Sequence, residues 1–167
     1  WPFQVARGNG AWMLSRNSKF ARLWPDLEDR INSLEKLAGP VSPTFSHNDL
    51  LAANFIDDGD RLWLIDWEYA GLNCAMFDLA GLAANNDLGD EVEDYLMEFY
   101  FGEPATSEMK QQYLALYTMC SLCEVTWALV QKEISKLNSD YDGYMRVNRQ
   151  RLDSSLVRCG LAPLGEL

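Results

Sequence analysis

Two apolar segments of strand length, Phe55-Ile56 running on from Asn54 and Leu62-Trp63-Leu64-Ile65, flank the acidic turn Asp57-Asp58-Gly59-Asp60. A Gly-bearing turn between apolar runs specifies a β-hairpin. No other stretch restricts the chain as much, because of what the ends of this hairpin carry. Ser46-His47-Asn48-Asp49 leads into it, so that His47 to Asn54 reads His-x-Asp-x-x-x-x-Asn, and Asp66 closes the second strand. The hairpin therefore gathers a lone carboxylate, an amide oxygen and a second carboxylate at one edge.

That set suits phosphoryl transfer. Mg²⁺ prefers oxygen ligands and is held by one or two carboxylates together with nucleotide phosphates. A further carboxylate, free of metal, can orient a hydroxyl and accept its proton. Protein kinases place these groups on His-Arg-Asp-x-x-x-x-Asn and on a later Asp-Phe-Gly. Here Asn48 stands in place of Arg and Trp67-Glu68 in place of Phe-Gly. With His47-Asn48-Asp49, Ile65-Asp66-x-Glu68-Tyr69-Ala70-Gly71-x-Asn73 and Phe77-Asp78-Leu79-Ala80, the chain resembles the choline/ethanolamine kinase-like family of the aminoglycoside phosphotransferase (protein-kinase-like) superfamily. Aminoglycoside phosphotransferases more often carry Gly between the His and the Asp. The match is strong over residues 45 to 80 and weaker at Trp127-Ala128-Leu129-Val130-Gln131.

The resemblance implies an α+β, mostly helical fold, the C-terminal lobe of a protein-kinase-like enzyme with a catalytic β-hairpin. It implies transfer of the γ-phosphate of ATP to the hydroxyl of a small cationic amino-alcohol such as choline or ethanolamine. Asp49 is then the base, and Asn54 and Asp66 hold Mg²⁺. Ile65 resembles the apolar residue against adenine, with core packing as its alternative. His47 is expected to hydrogen-bond the loop backbone, and Asp78 to brace that loop, to cap its own helix, or both. Trp127 resembles one wall of an aromatic box for the ammonium group, with Glu124 one turn earlier and Tyr144 as a further ring. The family more often has an aromatic at the position of Glu124. An aminoglycoside, thiamine or another small molecule is the alternative acceptor. A non-catalytic small-molecule-binding module is the alternative of a different class, against which the presence of Asp49, Asn54 and Asp66 together counts.

The net charge of −11 excludes a phosphate-binding nucleic-acid surface and fits a cationic partner better. No apolar run of about 18 residues is free of charge, so no membrane span is expected, and Trp1 to Arg7 lacks the layout of a signal peptide. Cys74, Cys120, Cys123 and Cys159 are scattered and read as core thiols, which points to a cytoplasmic protein. Nothing before residue 40 reads as a Gly-rich phosphate loop or a strand bearing a paired Lys. Residues 1–167 are therefore expected to form the C-terminal lobe alone, with an N-terminal nucleotide lobe needed for full activity.

Along the chain, Gly8-Asn9-Gly10 reads as a plain turn. A helix is expected from Asp26, which caps it, with Leu27, Ile31, Leu34 and Leu37 inward and Gly39-Pro40 as its stop. Further helices are expected over 77–84, over 91–101 with Val92, Tyr95, Leu96 and Phe99 inward, over 107–137, and over 144–158. On the long one, Tyr113, Leu116, Tyr117, Cys120, Cys123, Trp127, Val130 and Ile134 form the apolar seam.

Overall fold

The computed structural model describes residues 1–165. Helices α1 (Pro2–Ser15) and α2 (Trp24–Ala38) come first, joined through a short 3₁₀ turn at Ala21–Leu23. Four short strands follow: β1 (Thr44–Ser46), β2 (Phe55–Asp57), β3 (Leu62–Leu64) and β4 (Gly71–Asn73). Helices α3 (Ala75–Asn85), α4 (Asp90–Phe101), α5 (Ser107–Ile134) and α6 (Tyr141–Arg158) complete the lobe. β2 and β3 form the expected antiparallel hairpin, with Phe55 opposite Leu64 and Asp57 opposite Leu62. β1 and β4 pair separately, Thr44 opposite Asn73 and Ser46 opposite Gly71, and so enclose the hairpin and its loops between their ends.

α5 is the hub, packing against α1, α2, α3 and α6. Its residues Tyr113, Leu116, Met119, Leu122, Val125 and Leu129 are buried. α5 is long and apolar enough to cross a membrane by length and composition, although its apolar stretch carries Glu124, and 72% of its apolar window is buried within the fold. It is a core helix. Because neighbours surround it, burial extends beyond a single seam, whereas Trp127 and Ile134 are 39% and 49% exposed.

Several local expectations are corrected. Gly8-Asn9-Gly10 is not a turn but lies inside α1. Two glycines argue against a helix by propensity, but tertiary packing overrides it: an added Cβ on Gly10 would meet the Trp24 ring at 2.1 Å. That close approach brings α1 against α2. At Gly8 nothing lies within 4 Å. Gly10→Ala is therefore expected to destabilise the protein by about 1–2 kcal/mol, overpacking outweighing the gain in helix propensity. Gly8→Ala should stabilise it by roughly 0.5–1 kcal/mol. Paired thermal melts check this, and a Gly10→Ala protein that melts no lower than wild type would refute it.

α2 begins at Trp24 with no side-chain cap, and Asp26 sits in its first turn, 3.2 Å from Arg30, rather than capping it. α4 turns differently from its apolar pattern. Glu93 and Met97 are its buried residues and Val92 and Leu96 of the expected face are half-buried, while Tyr95 and Phe99 are 62% and 78% exposed. The reason is Arg158 on α6, whose guanidinium meets both Glu93 carboxylate oxygens at 3.1 and 2.7 Å and draws that face inward. α6 starts at Tyr141, three residues before the expected start, because Asp140 caps it by accepting from the Gly143 N–H at 2.8 Å. α5 ends at Ile134 and not at Leu137. Asp78 is not an N-cap, a position held by Cys74.

Candidate active site

The loop from His47 to Asn54 runs between β1 and β2, and its shape is set by hydrogen bonds at almost every residue. Asp78, in the first turn of α3, accepts the backbone N–H of His47 at 2.7 Å and of Asn48 at 2.8 Å. The buried His47 ring donates from Nε2 to the Ile65 carbonyl at 2.9 Å. In that tautomer Nδ1 accepts the Asp49 N–H at 3.3 Å. One imidazole thus joins the loop to the far strand of the hairpin, and the Trp67 ring packs edge-on against it with centroids 4.7 Å apart.

Asn48 adopts φ 67°. Asn tolerates this left-handed region better than most residues, since its short side chain hydrogen-bonds locally. Its Nδ2 donates to the Tyr69 carbonyl at 2.9 Å and its Oδ1 accepts from Asn73 at 2.7 Å. A guanidinium, which has no acceptor, could not take the Asn73 hydrogen as this amide does. Sequence reading gave Asn48 no role beyond departing from Arg.

Asn54 is 6% exposed, and its Nδ2 donates to the Asp49 carbonyl at 2.9 Å. Its own carbonyl accepts the Ile65 N–H at 3.0 Å, so the backbone register places Asp66 immediately beyond Asn54. Asp66 is left-handed too, with φ 64° and ψ 58°, at the entry to a 3₁₀ turn over Trp67–Tyr69. Ile65 is 45% exposed and so is not a core residue here. Among the described residues no three His, Cys, Asp or Glu side chains gather as a metal cluster.

On the other side of Asp49 lies a cavity of about 630 Å³. Asp49, Tyr69, Glu124, Trp127, Tyr144 and Arg151 line it, whereas Asn54, Ile65 and Asp66 stay outside its wall. Asp49 is the acidic loop residue that reaches both places. Tyr144 donates its phenol hydrogen to Glu124, and its ring lies 5.7 Å from Trp127 at 66°. Tyr141 approaches Trp127 at 5.9 Å and 63°. Sequence reading missed it by starting α6 too late, although a three-residue offset from Tyr144 on one helix is the usual sign of a shared face. Arg151 is committed to Asp87 at 2.6 Å and to Asn148 at 3.3 Å. The wall accordingly shows the carboxylates of Asp49 and Glu124, that of Asp78 engaged by the loop N–H groups, and aromatic faces, with its arginine already paired.

Burial pushes the Asp49 carboxyl above its usual range, the His47 imidazole pulls the other way, and the Asp66 and Glu68 charges add to the upward push. Glu124 is also raised by burial, with the Tyr144 hydrogen bond opposing and the Asp49 charge adding. Both groups sit where negative charge is costly without a cation nearby.

Comparison with known proteins fits this geometry. Residues 13–88 match the family model described as choline/ethanolamine kinase. Over those residues the chain is similar to the choline/ethanolamine kinase-like family. It is 31% identical over 138 residues to the choline/ethanolamine kinase of Rattus norvegicus, covering 77% of this chain and 34% of that protein. To protein LicA of Haemophilus influenzae it is 32% identical over 101 residues, covering 57% of this chain and 38% of the other. A choline/ethanolamine kinase family protein from Mesorhizobium loti superposes with a TM-score of 0.79 at 24% identity, over 93% of this chain and 54% of that one. The fold is that of the C-terminal lobe of these kinase-like proteins, and the chain spans little more than a third of those curated relatives' length.

Proposed function

We propose that this chain carries the catalytic loop and acceptor pocket of an ATP- and Mg²⁺-dependent kinase of small amino-alcohols, choline or ethanolamine. The observation that carries this reading is the double exposure of Asp49, which faces the cavity on one side and adjoins Asn54 and Asp66 on the other. An acceptor in the cavity can place its hydroxyl against the Asp49 carboxylate, which orients it and takes its proton as the oxygen bonds to the γ-phosphorus of ATP and the bond from that phosphorus to the ADP oxygen breaks, releasing ADP. Trp127 and Tyr144 offer ring faces to an ammonium group, and Glu124 supplies the opposing charge. Ile65, exposed beside Asp66, is left open to pack on the adenine ring.

The donor set fits Mg²⁺. The Asn54 amide nitrogen is spent on the Asp49 carbonyl, which leaves Oδ1 as its open end, and among the described residues no side chain pairs with the Asp66 carboxylate. Asn54 and Asp66 would hold the ion, with phosphate and water oxygens completing its shell. When bound, Mg²⁺ neutralises charge on the transferring phosphoryl group.

The test uses the complete protein that contains this lobe, joined to its nucleotide-binding lobe. Transfer from γ-labelled ATP is measured to ethanolamine, choline, thiamine and an aminoglycoside. Mg²⁺-dependent labelling of ethanolamine or choline is expected. In Trp127→Ala the KM for that acceptor should rise roughly tenfold with kcat little changed, as loss of one cation–π wall implies. Labelling only of thiamine or the aminoglycoside would move the acceptor class. No labelling by folded, nucleotide-binding protein would make this a binding module.

A further inference from the structure

The loop that presents Asp49 is clasped a second time, from the far end of α3. Asn86 directly follows the last residue of that helix. Its Nδ2 donates to the Leu50 carbonyl at 2.8 Å and to the Leu82 carbonyl at 2.7 Å. Its Oδ1 accepts the Ala52 N–H at 2.6 Å. Both amide hydrogens and the oxygen are therefore engaged. Asp78 and Asn86 lie eight residues apart on one helix, about 12 Å at the usual rise. Between them they grip the loop on the two sides of Asp49, at His47-Asn48 and at Leu50 and Ala52. Ala52 also opens the 3₁₀ turn that ends in Asn54, so the same side chain fixes the start of the turn presenting that residue.

We infer that Asn86 is a positioning residue for phosphoryl transfer, holding Asp49 and the Asn54 turn in register through its clasp on Leu50 and Ala52. Only a side chain that donates and accepts together at this reach can do so. Asp would lose both donors and set a carboxylate oxygen against two carbonyls, and Ala would lose all three bonds. The inference rests on the proposed role of Asp49. A misplacement of about 1 Å at a reacting group can lower a rate by about a hundredfold.

The experiment compares wild type, Asn86→Ala, Asn86→Asp and Asp49→Asn in the complete protein. It records kcat, the acceptor KM, the melting temperature and, in metal-free protein, amide exchange at Ala52 and Asn54. Both Asn86 variants should lose roughly 10- to 100-fold in kcat with the acceptor KM within about twofold. Ala52 should exchange faster in Asn86→Ala. Should Asn86→Ala unfold at the assay temperature, Asn86→Asp alone decides. A kcat within about twofold of wild type in a folded Asn86 variant, whatever its melting temperature, would reduce Asn86 to a structural clasp and overturn the inference. An unimpaired Asp49→Asn would instead remove the reading beneath it, and the two failures are separable because each is read in its own variant.

Discussion

Asp49→Asn in the complete protein should lower kcat by roughly 10²–10⁴-fold, the span associated with a positioned general base. The substitution keeps size and hydrogen-bonding shape while removing the ability to take a proton. Wild type should show an acid limb in its kcat profile that bends above the ordinary range of an aspartate, because burial and the neighbouring Asp66 and Glu68 charges raise this carboxyl. The limb should vanish in the variant. Stability runs the opposite way. A carboxyl whose pKa is raised by folding penalises the folded state once ionised. The penalty is absent below its unfolded value, near 3.8, and grows as pH climbs through the folded value. Asp49→Asn should therefore melt higher than wild type at neutral pH, with the advantage fading in acid. Wild-type activity in the variant, or a lower melting temperature at neutral pH, would refute this assignment.

Asp66→Asn is the second large effect, about 10²–10³-fold in kcat with a shift to higher Mg²⁺ requirement, as expected for loss of one preorganised charge at a transferring phosphoryl group. Asn is the informative replacement because φ at this residue is 64°. Ala there would add about 1–2 kcal/mol of backbone strain and confuse folding with chemistry. Rates over a Mg²⁺ titration, alongside circular dichroism, check the expectation. A folded variant within about threefold of wild type at every Mg²⁺ concentration would assign the metal elsewhere.

What the sequence disclosed was local. The hairpin was readable because two short apolar runs flank a turn with its own glycine, and α5 because its apolar residues recur over many turns. Tyr141 and the true start of α6 were recoverable from Asp140 as a cap, had the break between the last two helices not been placed three residues too late. The rest depended on partners remote in the chain. α1 is helical across two glycines because Trp24 occupies the space beside Gly10. Glu93 is buried because Arg158, 65 residues away, meets it. Asn86, between the helices expected over 77–84 and 91–101, bonds to residues 34 and 36 positions earlier. No periodicity announces such a contact. The same holds for the cavity, whose walls come from the loop, β4 and helices α1, α3, α5 and α6.

The left-handed turns at Asn48 and Asp66 have an evolutionary consequence. Glycine takes that backbone shape without strain, so drift toward a tougher protein has an open route through these two positions. Each step along it would discard the Asn48 amide, which bonds to Tyr69 and Asn73, or the Asp66 carboxylate proposed to hold Mg²⁺. On the proposed roles of these loops, lineages selected only for hardiness would thus lose turnover first at these sites.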